Sequence, residues 1–441
     1  MTSLQVNALN FNKKLSINFN GGNLSSDSGL LVYRSFDEKL GFSKLLRNAF
    51  NNDKVSESHL TYRRSDVILQ NIYKFIAGYP TDDASDELHS DPVFKEILSA
   101  NRLASQPTVS RRLSELNEST FKMMQTVNTQ IIDRAYQVKH PKAVVFDIDS
   151  THIDTHGKQH GSNYNFHYGT TGFHPLMVFD GLTGDLIKSE LRSGNVYTSR
   201  NVTRFMAPIL NHYTKKYKNT YLVIRGDSGF AMPKLYELAE NNRTTYAIRL
   251  KANATLSKSA SEFTDKFYEL YGSDFTRERT LYGEFMYRAK SWNKERRVVI
   301  KIQRKVGELL PRHTFVVTTM EASAKDVIRF YSKRGTMENF IKEAKLDFGM
   351  ETLSHSSYLA NANRMMQMVL AYNLNNLMRR LCFSKADKPK RMNTLRTVLT
   401  KVAGRFIQTG RYSTFKLCSS YPYKEFFVKL FDQINLLPSF G

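Results

Sequence analysis

The chain has 441 residues, 41% of them hydrophobic and 12% aromatic, which is enough apolar material for two or three packed domains and argues against wholesale disorder. Its 64 lysines and arginines outnumber 41 acidic residues, and the formal net charge of +23 points to a polyanionic partner, nucleic acid before an anionic membrane surface. No stretch approaches the ~18 consecutive apolar residues of a spanning helix, and the N-terminus MTSLQVNALNFNKKLSINFN lacks the apolar core of a signal peptide, so the reading is a cytoplasmic protein without a membrane partner. Cys382 and Cys418 have no companions at zinc spacing and read as reduced, structural thiols.

Residues 1–140 read as mainly helical, with apolar residues at helical spacing over 60–78 and 121–138. Between them lies LASQPTVSRRLSELN (103–117), where a helix-turn-helix is possible. Gln106, Thr108, Ser110 and Arg111 are the residue types that open a recognition helix, and Val109, Leu113 and Leu116 give it a buried stripe; an ordinary capped surface helix fits equally well.

At Pro141 the pattern changes. AVVFDID reads as a buried strand, FHPLMVFDG and the segment after Gly184 as two more. A helix over 198–218, the strand TYLVIRGD, a helix over 235–241 and the strand TTYAIRL follow. This order predicts an α/β core (141–251) built on a mixed sheet flanked by helices. RERTLYGEFMYRAKSW, RRVVIKIQRKV and HTFVVTTM make 252–320 β-rich, with charged outer faces. Residues 321–385 return to helix, and the tail 386–441 is basic and helical in part.

Three acidic features carry chemistry. In VVFDIDSTH, Asp147 and Asp149 lie two apart on one strand, hence on one face. Two carboxylates there repel, and each needs a proton or a cation. Mg²⁺ suits them, because it prefers oxygen ligands and is often held by one or two carboxylates plus phosphate. In YLVIRGDSGF, Asp227 ends a second apolar strand inside a glycine turn, where a plain turn residue is the alternative. In YSKRGTMENFIKEAK, at ~100° per residue, Tyr331, Arg334, Glu338 and Lys345 share about 60° of one helix face, joined by Lys342. A carboxylate with cationic and phenolic neighbours can meet a metal and hold phosphate oxygens, although Arg334, Glu338 and Lys342 also have the spacing of a surface ion-pair ladder.

The strand motif Asp147, Asp149, Thr151 resembles both the haloacid-dehalogenase phosphatases and the DDE transposases. The phosphatase pattern wants a further acid after Gly226–Asp227, and that position is Ala231. Tyr331, Arg334, Glu338 and Lys345 match without gaps the Tyr-x(2)-Arg-x(3)-Glu-x(6)-Lys signature of insertion-sequence DDE transposases. Over most of its length the chain is similar to the insertion-sequence family numbered thirteen-eighty, on DSGLLVYRSFDEKLG, LASQPTVSR, FDIDSTHIDTHG, VIRGDSGF and the signature segment.

That resemblance implies a ribonuclease-H-like core with a helical N-terminal DNA-binding region and a β-rich insertion at 252–320. It implies Asp149, Asp227 and Glu338 as catalytic and metal-holding acids, with Asp147 as an accessory ligand. It further implies Tyr331, Arg334 and Lys345 as DNA contacts, which Lys342 joins by its place on the same helix face, and Mg²⁺ (or Mn²⁺) as cofactor. The partners implied are terminal inverted repeats and target DNA, with a homodimer on paired ends and a bacterial, nucleoid-associated setting. His152, His156, His160, His167 and His174 are irregularly spaced and read as DNA-contacting or structural. Two alternatives remain: a Mg²⁺ phosphatase with Asp147 as nucleophile and Asp149 as acid, which leaves the signature segment and the charge unexplained, and a non-catalytic DNA-binding descendant of a transposase.

Overall fold

The structure is a computed structural model and describes residues 7–52, 57, 59–272 and 274–440. It divides into two compact units, one of residues 1–134, 347–352 and 366–441, the other of residues 135–346 and 353–365.

The first unit is mainly helical. Helices Leu30–Leu40, Phe42–Asn51 and Arg64–Ala77 bury Leu30, Tyr33, Phe36, Leu46, Ile72 and Tyr73. Gln106–Ser114 forms the short helix expected within 103–117; Val109 and Leu113 are its buried stripe, and Leu116, also buried, lies just past its end. The unit also holds strands where helix or loop was predicted. Asn7–Leu9 pairs with Asn12–Ile17, and a C-terminal hairpin, Gly404–Thr409 with Tyr412–Leu417, pairs with Leu24–Ser25. The tail ends in the helix Lys424–Asn435. Cys382 is buried, as a structural thiol should be, whereas Cys418 is exposed, its sulfur 3.3 Å from Ser420 Oγ.

The second unit is built on one eight-stranded mixed sheet. In chain order its strands are β1 (Ala143–Ser150), β2 (Leu176–Asp180), β3 (Leu186–Glu190), β4 (Tyr221–Gly226), β5 (Thr245–Leu250), β6 (Arg279–Tyr287), β7 (Arg296–Arg304) and β8 (Arg312–Thr318). Across the sheet they run β6-β7-β8-β5-β4-β1-β2-β3. β1, β4 and β5 are parallel neighbours; β2 is antiparallel to β1, and β3 to β2. The central strands are covered on both faces, which is why they read as unbroken apolar runs rather than alternating ones. Val144, Phe146 and Ile148 are fully buried, and each such side chain contributes ~1.5–3 kcal/mol.

The strands of 252–320 do not make a sheet of their own. β8 pairs antiparallel with β5, Ala247 opposite Thr318, so the three strands continue the central sheet. Left alone, β5 would present a row of unpaired backbone groups at a sheet edge. Two helices precede them, Ala254–Ser259 and Ser261–Tyr271, which the sequence reading did not anticipate.

The predicted single helix over the signature segment is also corrected. The chain forms a helix Ala324–Ser332, a 3-10 turn Lys333–Gly335, a helix Thr336–Lys342 and a π turn Glu343–Asp347. A 3-10 turn advances about 120° per residue rather than ~100°, so the shared face computed for a regular helix is redistributed. Gly335, a poor helix former, lies at the break.

Candidate active site

β1 and β4 run side by side in register, Arg225 opposite Asp147 and Gly226 opposite Ile148. The next residue of β1 is Asp149, and the next after β4 is Asp227. Both therefore leave adjacent parallel strands at the carboxyl end of the sheet, where open α/β sheets bind ligands.

Local hydrogen bonds fix each carboxylate. Asp149 Oδ1 accepts from its neighbour Ser150 N at 2.9 Å. Asp227 Oδ1 accepts from Gly229 N at 2.8 Å, capping the 3-10 turn Ser228–Phe230. The Oδ2 atoms face one cation: Arg334 Nη2 lies 2.7 Å from Asp149 Oδ2 and 3.7 Å from Asp227 Oδ2.

Burial pushes the Asp149 carboxyl up to about 6, with Arg334 opposing the shift and the charges of Asp227 and Glu338 adding to it. Burial also works against the charge of Arg334, but Asp149 and then Asp227 more than offset it. The site is thus a pair of carboxylates that compete for positive charge.

The other predicted residues separate. Glu338 is exposed on Thr336–Lys342 and acts on Asp149 through space. Among the described residues no three acidic, histidine or cysteine side chains converge closely enough to enclose an ion. The two aspartates still offer what a hard divalent ion needs, two carboxylate oxygens facing a single cation position. Lys345 Nζ donates to the carbonyl of His152 at 2.8 Å, and Lys342 is exposed. Tyr331 is half-buried against Val327, Ile328 and Ala247.

Asp147 has a different partner from the metal expected of it. Its carboxylate is fully buried and takes Arg225 Nε and Nη2, each at 2.6 Å. Arg225 Nη1 in turn donates to the carbonyl of Phe330 at 2.6 Å, tying the strand to the segment that carries Arg334. Gly181 passes so close that a Cβ there would strike Asp147 Oδ2. A fully buried carboxylate with both oxygens taken cannot attack a phosphoester, which removes the nucleophile of the phosphatase alternative.

Beside the two aspartates lies a cleft of about 440 Å³, walled by Phe166, Tyr168, His174, Asn195 and Tyr197. The sequence reading passed over these aromatic residues, although the run NYNFHYGTTGFH was the available signal. Of the five histidines, His152 stacks on Tyr168 with centroids 4.9 Å apart, and His174 Nδ1 lies 2.8 Å from the carbonyl of Val196. Burial lowers both below the usual histidine range, so both favour the neutral form.

Paired strand-end carboxylates facing one cation position are an arrangement suited to metal-assisted phosphodiester chemistry. Residues 7–439 match the model of the transposase DDE domain, group 1, and the chain belongs to that family. It is a DNA transposase, a metal-dependent DNA nuclease and strand transferase. Among solved structures it is similar to a piggyBac transposase synaptic complex with hairpin DNA, at 14% identity and a TM-score of 0.40, covering 94% of this chain and 86% of that one. No curated protein matches it. Among the described residues no helix is long and apolar enough to cross a membrane.

Proposed function

We propose that the chain is the transposase of an insertion sequence similar to family thirteen-eighty, which cuts at terminal inverted repeats and joins the freed ends to target DNA. The observation that carries the reading is the convergence of Asp149 and Asp227 on one guanidinium. The strand order β3-β2-β1-β4-β5, with β2 alone antiparallel to its neighbours β1 and β3, supports a ribonuclease-H-like core. In this reading Asp149, Asp227 and Glu338 hold Mg²⁺, with Mn²⁺ as a substitute. When bound, such ions stabilise charge on the attacking and leaving oxygens of a phosphodiester. Arg334, Lys342 and Lys345 hold the flanking phosphates, and Tyr331 positions the segment that carries them. A homodimer on paired ends fits the need to join two ends at one target. The test is incubation of the full chain with Mg²⁺ and DNA carrying the element's own ends. Site-specific cutting at those ends is expected; binding without cutting would leave a DNA-binding protein only.

The pH dependence follows from the buried aspartate. Below about pH 6 Asp149 holds a proton that a metal must displace. Cutting at limiting Mg²⁺ should therefore fall as pH drops through about 6, and excess Mg²⁺ should move the midpoint lower. A profile flat to pH 5 at limiting Mg²⁺ contradicts this.

End recognition is assigned to Gln106–Ser114. Gln106 N donates to Asp86 Oδ1 at 2.9 Å, and Thr108 Oγ1 lies 3.1 Å from Ser105 Oγ, so both help to fix the start of the helix. Ser110 and the exposed Arg111 lie farther along it. Arg111→Ala should weaken DNA binding and, if the side chain meets a phosphate, flatten the slope of log affinity against log salt by about 1. An unchanged slope and affinity in a salt titration would remove Arg111 from the interface.

A further inference from the structure

We infer that Arg334 is a resident cation that keeps the metal seat closed until DNA draws it away, so that metal loading depends on DNA binding. The inference rests on the reading of Asp149 and Asp227 as the metal-holding pair, and it adds a regulation of that site.

Each aspartate commits Oδ1 to a backbone N–H and turns Oδ2 toward the same nitrogen of Arg334. A Mg²⁺ ion sits ~2.0–2.1 Å from its oxygens, so an ion shared by this pair would lie against the guanidinium. Two cations cannot share that space at full charge. Arg334 must leave the Oδ2 atoms before an ion can take them.

Arg334 is also held imperfectly. Its Nε is buried and has no hydrogen-bond partner among the described residues. A guanidinium that meets its best acceptor makes two parallel bonds, as it can to a phosphate. A DNA phosphate beside the site thus offers Arg334 more than the aspartates do. The residue lies in the 3-10 turn Lys333–Gly335 between two helices, and short 3-10 stretches within helices often mark hinges. A Cβ at Gly335 would meet nothing within 4 Å, so the turn borders open space on that side.

The consequence is a thermodynamic coupling. If DNA removes the competitor of the metal, DNA must raise metal affinity, and metal must raise DNA affinity by the same factor. Off DNA, the cation position between the two aspartates stays filled by Arg334, and the nuclease is unarmed.

The experiment measures Mn²⁺ binding to the full chain by calorimetry or paramagnetic resonance, with and without an end-bearing duplex. For the wild type, the duplex should tighten Mn²⁺ binding by about 5–150-fold, the usual range of such coupling. Arg334→Gln should bind Mn²⁺ without DNA about as tightly as the wild type does with it, and gain little more from the duplex. Lys333→Gln, which removes the same charge one residue away on an exposed side chain, should behave as the wild type. Adding Asp149→Asn to Arg334→Gln should abolish the DNA-free binding, which ties the ion to this seat. Equal DNA-free affinity in wild type and Arg334→Gln overturns the inference. So does a wild-type affinity indifferent to the duplex, a result that needs no variant to fold. Cutting is scored separately on the wild type. Coupled binding without cutting overturns the functional reading and leaves this one; cutting with uncoupled binding does the reverse.

Discussion

Asp149→Ala and Asp227→Ala should each lower Mg²⁺-dependent cutting of DNA ends by on the order of a thousandfold, while the protein stays folded and bound to DNA. Phosphodiester cleavage builds charge on two oxygens, and the stabilising ions have no anchorage once one Oδ2 of the pair is gone. The two variants should part company in stability. Burial raises the Asp149 carboxyl to about 6, above the ordinary 3.8. The folded state therefore binds the proton more tightly than the unfolded chain, and the charged form weighs against folding above pH 6. Asp149→Ala also takes from Arg334 its 2.7 Å partner, so the sharper expectation is the trend: in metal-free buffer the melting temperature of the variant relative to the wild type should fall as pH drops from 8 toward 4. Asp227→Ala also loses the cap on Ser228–Phe230, a loss of about 1 kcal/mol. Glu338→Ala should lose cutting with little change in melting, because the side chain is exposed. Single-turnover rates, gel shifts and thermal melts on the same preparations check all three. Cutting within tenfold of the wild type in either aspartate variant would sink the site assignment.

The positions of the two aspartates were legible because their physics is local. A strand that ends in an acid after a fully apolar run can be read one residue at a time, as in AVVFDID and TYLVIRGD. The burial of Val109, Leu113 and Leu116 was legible for the same reason. What is set by distant partners was not. Nothing near VVFDIDSTH says that Asp147 will meet Arg225, which is 78 positions away and reaches it only because β1 and β4 pair in that register. Period two put Asp147 and Asp149 on one face correctly, but it could not say that the fold closes over the first and leaves the second at the cleft. The joining of β8 to β5 was hidden likewise, since an antiparallel strand with a charged outer face reads the same in a separate sheet as at the edge of a shared one. The break at Lys333–Gly335 escaped the helical-face argument, which assumes constant rotation per residue.

The buried pair offers the sharpest separation of fold from chemistry. Arg225→Met should destabilise the protein by about 3–5 kcal/mol, because it strands the Asp147 charge where both side chains are 2% exposed or less. Asp147 already stands above the usual carboxylate range, since burial outweighs the Arg225 contact that opposes it. The pair therefore does not fully offset its own desolvation. Replacing both partners, Asp147→Leu with Arg225→Met, should then recover most of the loss, and urea titrations of the two single variants and the double one measure the coupling directly. Recovery of stability should not bring recovery of activity. Arg225 also holds the Phe330 carbonyl, four residues before Arg334, and the double variant cuts that tether. Groups that orient a site from behind typically change activity by about 10–100-fold, so cutting should remain depressed by that much in a protein as stable as the wild type. Mn²⁺ affinity decides between the two roles open to Asp147, positioning group or metal ligand. A positioning residue predicts affinity near the wild type in the double variant, whereas a ligand predicts that removing it costs affinity as surely as removing Asp149.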